Sequence, residues 1–349
     1  MLKVAMIGCG GIGRYHLNHL KEFSDFITTV GFCDIISERA ETFAEEMNSK
    51  AYTDFRVMLD ETGPEAVFIC IPPYCHGDIE NELIDRDIPF FVEKPLSVDI
   101  EQAKAIEKRV KEKNLITAVG FQCRYDALTV PVKEYVNNNP VPFIDCTRFS
   151  GIPNAPWWIK KSLSGGQITE QTIHQLDYIR YTVGEPETVF TMASRGYNTD
   201  IEGYDTDDLT ATVVRFKNGT LATIATGCYA KNGDCFDSKV VFSSPDKRGE
   251  MKLLSKFEIF GEIQKDDKDT CMLIKGDGGL ASASSDGKLY KNDVDAGIIC
   301  DKTFLEAVIN KDGSKIRSPY SDGLKSLAFA LACNKSADSG QAVNISDLL

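Results

Sequence analysis

Residues 3–13 constrain this chain more than any other stretch. An apolar run, Lys3-Val4-Ala5-Met6-Ile7, leads directly into Gly8-Cys9-Gly10-Gly11-Ile12-Gly13, and an amphipathic stretch follows. A strand that ends in G-x-G-x-x-G and turns straight into a helix commits the chain to a parallel, helix-covered sheet. Gly8 permits the tight turn. Gly10 lets a pyrophosphate approach the backbone, with Gly11 and Ile12 completing the loop. Gly13 lets the helix sit close to the strand, so that its N-terminal amides and dipole face the phosphates.

The rest of the first 120 residues repeats the rhythm. Apolar runs at 27–33, 66–71, 89–92 and 116–121, and a short one near 50–52, predict strands. Helical periodicity at about 13–22, 37–47, 55–61, 75–85 and 99–113 lies between them. Strands separated by helices of this length form a doubly wound parallel sheet through right-handed crossovers. Asp34 closes the second strand about 20 residues after the loop. Its carboxylate suits a hold on the ribose 2′- and 3′-hydroxyls and repels a 2′-phosphate, which favours NAD, with NADP left possible because Arg39 lies nearby. Ile71-Pro72-Pro73 ends the third long run and borders the nicotinamide half of the cofactor. His76 either touches the cofactor or begins the next helix.

From residue 121 the pattern changes. Runs at 142–149, 188–194, 209–216, 220–226, 239–243, 251–260 and 270–275 follow one another as strands of an antiparallel sheet. Lys217-Asn218-Gly219-Thr220 between two of them reads as a type I′ hairpin. Helices are expected at 166–182, 302–309 and 321–335, and an exposed excursion at 276–297. The expected architecture is therefore a Rossmann domain, residues 1–120, and an α+β domain with a large, mostly antiparallel sheet, residues 121–349.

Two stretches carry chemistry. Glu93-Lys94-Pro95 ends the strand at 89–92, on the edge where a parallel sheet presents its ligands. The helix at 166–182 carries Glu170, His174 and Asp177, spaced four and three apart and so on one helical face. A carboxylate beside an imidazole raises the histidine pKa and fixes its tautomer, which sets up a general base. Asp177 is equally readable as a packing residue. Trp157 and Trp158 either stack on a sugar ring or pack at the domain interface. Arg124 and Tyr125, in the crossover between domains, either bind substrate or pin the domains together.

Gly8–Gly13, Asp34, Ile71-Pro72-Pro73 with His76, Glu93-Lys94-Pro95, Gly120–Tyr125, and Gly165-Gly166 through His174 to Asp177 together resemble the glucose–fructose oxidoreductase / inositol dehydrogenase / rhizopine-catabolism (Gfo/Idh/MocA) family. The similarity continues through Ser321-Asp322-Gly323 to Ser336–Gly340. It implies NAD(P)-dependent redox chemistry on a secondary alcohol of a sugar, inositol or related polyol. It also implies a homodimer or homotetramer paired through the second sheet. In that reading His174 takes the hydroxyl proton and Lys94 donates to the developing alkoxide. An alternative makes Lys94 the base, its pKa lowered by burial and a cationic neighbourhood. Glu93 then compensates Lys94 or touches the nicotinamide ribose. The Lys94–Pro95 bond is open to a cis geometry. The family pattern has Asp where this chain has Glu170, which leaves that residue to orient His174, to hold a substrate hydroxyl or to mark a different subgroup. Two other activities fit the same residues: a glycosidase or lyase that oxidises its sugar transiently, and a non-catalytic sensor.

Composition removes other classes. With 52 acidic against 39 basic residues and a formal charge of −13, the chain suits neither nucleic acid nor an anionic membrane. Eleven cysteines, an odd number without a C-x-x-C pair, fit reduced thiols in the cytoplasm. His16 and His19, three apart on a helix, lack a third ligand by spacing, so no metal is expected.

Overall fold

The computed structural model describes residues 1–261, 288–292 and 294–349. The predicted strand at 270–275 and residues 276–287 of the predicted excursion lie outside them. The alternating pattern at the start folds as β1 (Leu2–Ile7), α1 (Gly11–Glu22), β2 (Ile27–Cys33), α2 (Ser37–Glu46), β3 (Ala51–Tyr52), α3 (Phe55–Thr62), β4 (Ala66–Ile69), α4 (Asp78–Asp85), β5 (Phe90–Val92), α5 (Ile100–Lys113) and β6 (Thr117–Val119). Their order in the sheet is β3-β2-β1-β4-β5-β6, all parallel. The order reverses between β1 and β4, which opens the ligand crevice at their carboxyl ends. Every side chain of β4, β5 and β6 is buried, as a strand covered on both faces requires.

After α6 (Thr129–Asn138), which periodicity had not flagged, come β7 (Phe143–Ser150), α7 (Lys161–Ser164), a π-helical turn (Ile168–Thr172), α8 (Ile173–Val183), β8 (Pro186–Ser194), β9 (Leu209–Phe216), β10 (Leu221–Cys228), β11 (Asp237–Ser243), β12 (Arg248–Lys252), β13 (Lys256–Phe260), β14 (Lys288–Lys291), α9 (Ala296–Asn310), α10 (Tyr320–Ser339) and β15 (Val343–Asn344). The second sheet runs β14-β13-β12-β11-β7-β10-β9-β8-β15. It is antiparallel throughout except where β7 pairs with β10. The run at 251–260 is two strands, because Leu254 takes a left-handed turn at φ 58°. The Asn218-Gly219 hairpin is not type I′. Gly219 has φ 91° but Asn218 does not join it on the positive side, and Phe216 N–H reaches Thr220 O at 2.9 Å around a three-residue loop.

One face of the second sheet is covered by helices and the other is open. In β7 the covered face carries Ile144 and Cys146, both buried. The open face carries Phe143, Phe190, Met192, Val213 and Leu221, all exposed. The domain division read at residue 120 separates the sheets but not the helices. Phe304 of α9 packs its ring edge-on against Phe68 and Phe91 of the first sheet, at 5.5 and 5.9 Å between centroids. Gly323 of α10 lies against Val119 and Leu96.

Candidate active site

The glycine loop is built by close backbone approach. Gly8 has φ 97°, and a Cβ there would lie 2.1 Å from Cys70 O, at the end of β4. A Cβ on Gly13 would lie 2.3 Å from Gly8 O, so the first turn of α1 rests directly on the loop. No atom lies within 4 Å of a Cβ placed on Gly10 or Gly11, which leaves open space over the helix N-terminus. The helix has no acidic residue in its first turn and no side-chain cap, so its leading amides keep room for an anion. Asp34 Oδ2 accepts from Cys9 N–H at 2.8 Å and Oδ1 from Ile36 N–H at 2.9 Å. These bonds fix the carboxylate beside the loop while leaving lone pairs for hydroxyl donors. The cradle fits a dinucleotide.

Ile71 and Pro72 are half-buried at the crevice, and His76 is buried. His76 Nδ1 lies 2.5 Å from Glu80 Oε1, while its Nε2 is enclosed without a partner among the described residues. The imidazole is thus tied to the start of α4 and keeps one polar atom unused.

Glu93 ends up away from Lys94's ammonium. Its Oε1 lies 2.9 Å from His16 Nε2 and accepts from Gln122 Nε2 at 3.2 Å. A Cβ on Gly120 would meet that oxygen at 2.2 Å. His16 Nδ1 and His19 Nδ1 both meet Asp301 Oδ2, at 2.8 and 2.7 Å. These three residues form a cluster capable of metal ligation, with the third member supplied by α9, which spacing did not reveal. Their separations are those of hydrogen bonds sharing one carboxylate oxygen. Burial alone would lower the His16 pKa, but Asp301 and Glu93 on its two sides outweigh burial and push it up to about 10.

Lys94 lies at the carboxyl end of β5, and its bond to Pro95 is cis. Its Nζ donates to Glu170 Oε1 at 2.9 Å and to Glu170 O at 2.8 Å. Trp158, fully buried, donates from Nε1 to Glu170 Oε2 at 2.7 Å, and Gln171 Nε2 donates to the same oxygen. Burial favours the protonated carboxyl, but Lys94 and these donors prevail and hold Glu170 below its usual range. The Trp158 ring is thus enclosed, with its indole N–H spent on Glu170. Trp157 is half-buried.

The helix that carries Glu170 and His174 differs from the sequence expectation. Ile168–Thr172 winds as a π turn, which changes the angular offset between residues four apart. Glu170 turns to Lys94 and Trp158, and no carboxylate among the described residues pairs with His174. The His174 pKa is therefore lowered, not raised. Burial drives it well below the ordinary histidine value, and the charges of Lys94 and Arg148 add to the effect. Nδ1 is enclosed without a partner among the described residues. A neutral imidazole is able to accept a proton.

Arg124 and Asp177 face each other. Arg124 Nε and Nη2 donate to Asp177 at 2.8 and 2.5 Å, and Nη1 donates to Arg317 O at 2.6 Å and to Asp322. Arg180 donates to Asp322 O at 3.0 Å, and Ser326 to Asp177 Oδ1 at 2.6 Å. Tyr125 OH accepts from Arg317 N–H at 2.8 Å. Arg124, Tyr125 and Asp177 thus join the interdomain crossover to α8, α10 and the segment before it.

The sequence reading missed a polar belt between this helix and the sheet. Thr210, Thr226, Arg148 and Ser238 stand side by side in register across β9, β10, β7 and β11, on the covered face. Three glutamines meet them. Gln167 Nε2 donates to Thr210 Oγ1 at 3.0 Å and its Oε1 accepts from Thr226 Oγ1 at 2.8 Å. Arg148 Nη2 donates to Gln171 Oε1, and Gln175 Nε2 donates to Ser238 Oγ at 3.0 Å. The recurrence of glutamine every four residues, and an arginine in phase with Ile144 and Cys146, were the available signals.

The comparisons agree with this fold. Residues 2–121 match the model of an oxidoreductase family with an NAD-binding Rossmann fold. Residues 142–262 match the GFO/IDH/MocA C-terminal domain. The chain is 30% identical over 229 residues to a scyllo-inositol 2-dehydrogenase (NAD(+)) of Bacillus subtilis, covering 64% of this chain and 66% of that one. It is 26% identical over the full length of both to a myo-inositol 2-dehydrogenase of Thermotoga maritima. A levoglucosan dehydrogenase solved with NADH and levoglucosan superposes with a TM-score of 0.81 at 21% identity, covering 99% of each chain. Among the described residues, no helix is long and apolar enough to cross a membrane.

Proposed function

The chain belongs to the Gfo/Idh/MocA family of NAD-binding oxidoreductases, and from that premise we propose that it oxidises and reduces a secondary alcohol of a sugar, inositol or related polyol, with NAD in preference to NADP. The observation that carries this reading is the pairing of a Lys94 ammonium, fixed by Glu170 at the edge of the first sheet, with a neutral His174 on the second domain. The inositol dehydrogenases among its relatives support the substrate class.

When bound, the cofactor supplies the hydride acceptor. The chain supplies the rest. His174 takes the hydroxyl proton at Nε2, because Nδ1 is enclosed. Lys94 Nζ donates a hydrogen bond to the oxygen on which negative charge develops, a role that removal of one donor reveals as roughly 10²–10³ in rate. Glu170, its own position held by Trp158 and Gln171, keeps that ammonium aimed, and acts through Lys94. Asp34 holds the adenosine ribose and disfavours a 2′-phosphate, and His76 Nε2 offers its unused polar atom to the cofactor. The open apolar face of the second sheet pairs subunits as a homodimer or homotetramer.

The test is Lys94→Ala and His174→Ala, each with NADH formation measured on inositols and sugars and with NADH affinity measured alongside. Loss of turnover by at least about 10²-fold, with NADH affinity held within a few-fold, is expected for both. Unchanged turnover in either variant removes the role assigned to that residue.

A further inference from the structure

Arg148 stands out on the covered face of the second sheet. Its neighbours in phase along β7, Ile144 and Cys146, are core residues, so its guanidinium enters the space between sheet and helix. There it donates to Ser150 Oγ at 2.6 Å and to Gln171 Oε1. Both partners are neutral, and they use two of the five N–H donors an arginine carries. No carboxylate among the described residues lies within ion-pair distance of it.

The other charges nearby are matched. Lys94 faces Glu170, Arg124 faces Asp177 and Asp322, and Glu93 faces His16. Unlike these groups, Arg148 has no ion-pair partner among the described residues. A partly buried charge held only by neutral groups costs stability, so its retention calls for a partner. Burial, only partly offset by Cys228 and Glu170, lowers the Arg148 pKa, as expected of a cation that lacks a full counter-charge.

The position of Arg148 ties it to the reacting end. Lys94 donates to Glu170, Gln171 donates to Glu170, and Arg148 donates to Gln171, in one continuous chain. The guanidinium and the ammonium are therefore held at fixed offset by two adjacent side chains. Ser150 and Gln171 fix two edges of the guanidinium plane and leave donors for a planar, bidentate acceptor.

We infer that Arg148 binds a carboxylate of the substrate, so that the alcohol presented to Lys94 and His174 belongs to a polyhydroxy acid, a uronate or an aldonate. The inference rests on the dehydrogenase reading above and narrows its substrate class. A monoanionic carboxylate balances the single surplus charge, whereas a phosphate dianion over-balances it.

The experiment compares acids with their uncharged counterparts. NADH formation is measured with D-glucuronate, D-galacturonate and D-gluconate against D-glucose, D-galactose and D-glucitol, for the wild type, Arg148→Gln and Arg148→Lys, with melting temperatures confirming that each variant is folded. For at least one pair, kcat/KM for the acid should exceed that for its neutral counterpart. Arg148→Gln should erase the preference by raising KM for the acid about 10–100-fold more than KM for its neutral counterpart, whereas any loss through the Gln171–Glu170–Lys94 chain lowers kcat for both members of a pair alike. Arg148→Lys should recover part of the preference. If the neutral compounds turn over better and the ratio is the same in Arg148→Gln, the acid inference falls while the dehydrogenase reading stands. If nothing turns over, calorimetric titration of the three acids into the NADH complex decides. Acid binding that is lost in Arg148→Gln keeps the carboxylate site although the dehydrogenase reading falls, and absence of acid binding to the wild type overturns it.

Discussion

The glycine loop and the Glu170–His174 helix sit on opposite walls of one crevice and are built by different means. The loop is a matter of backbone. Gly8 and Gly13 are required because carbonyl oxygens stand 2.1 and 2.3 Å from where their Cβ atoms would be. The helix wall is a matter of side chains reaching across elements: Trp158 to Glu170, Lys94 to Glu170, Arg148 to Gln171. A backbone-built wall fails outright when altered, whereas a side-chain-built wall degrades in steps.

The largest expected effect is on the first wall. Gly8→Ala must displace the end of β4 and also force a non-glycine residue to φ 97°. It should abolish measurable NADH binding and lower the melting temperature, read by titration and by thermal unfolding. Normal cofactor affinity in this variant would falsify the close-approach argument. Next is Glu170→Ala, which frees the Lys94 ammonium. We expect a fall in kcat of about 10–10³-fold with NADH affinity intact, and Glu170→Asp should keep more of the activity than Ala. Trp158→Phe removes one hydrogen bond to the same carboxylate while conserving most of the packing. The cost should be about 1–3 kcal/mol at most, seen in kcat rather than in cofactor binding.

The smallest effects are in pH dependence. His16 has a native pKa of about 10 against 6.5 for an ordinary histidine. The native state therefore keeps a proton that the unfolded chain releases above about pH 6.5. Its contribution to stability is complete below that value and is lost as pH rises towards 10. Melting temperature followed from pH 6 to 10 should fall in the wild type and fall less in His16→Gln. His174 has the opposite shift, so alcohol oxidation should hold its rate as pH drops through the ordinary histidine range. A kcat that titrates away near 6.5 would place His174 in a polar, solvated setting.

What was legible follows the same division. Glycine spacing, strand runs and Asp34 announce the first wall because local geometry encodes it. Glu170 and His174 were located, yet their relation was misread, because periodicity assumes an α-helix and the π turn at Ile168–Thr172 breaks that assumption. Helix α6 escaped because its apolar face is short and interrupted by Pro131. The pairing of His16 with Asp301 spans 285 residues, a distance over which no sequence period operates. Arg148 was passed over because a single arginine in a strand reads as an edge charge until the helix above it is placed.

The return of α9 to the first sheet has a consequence for how the chain is made. Phe304 and Asp301 complete the environment of Phe68, Phe91 and His16. As the polypeptide leaves the ribosome, the cofactor-binding half thus stays unfinished until nearly the whole sequence has emerged. Nascent chains cut before residue 296 should leave that apolar surface uncovered and should depend on chaperones, and the two halves should assemble together rather than one after the other.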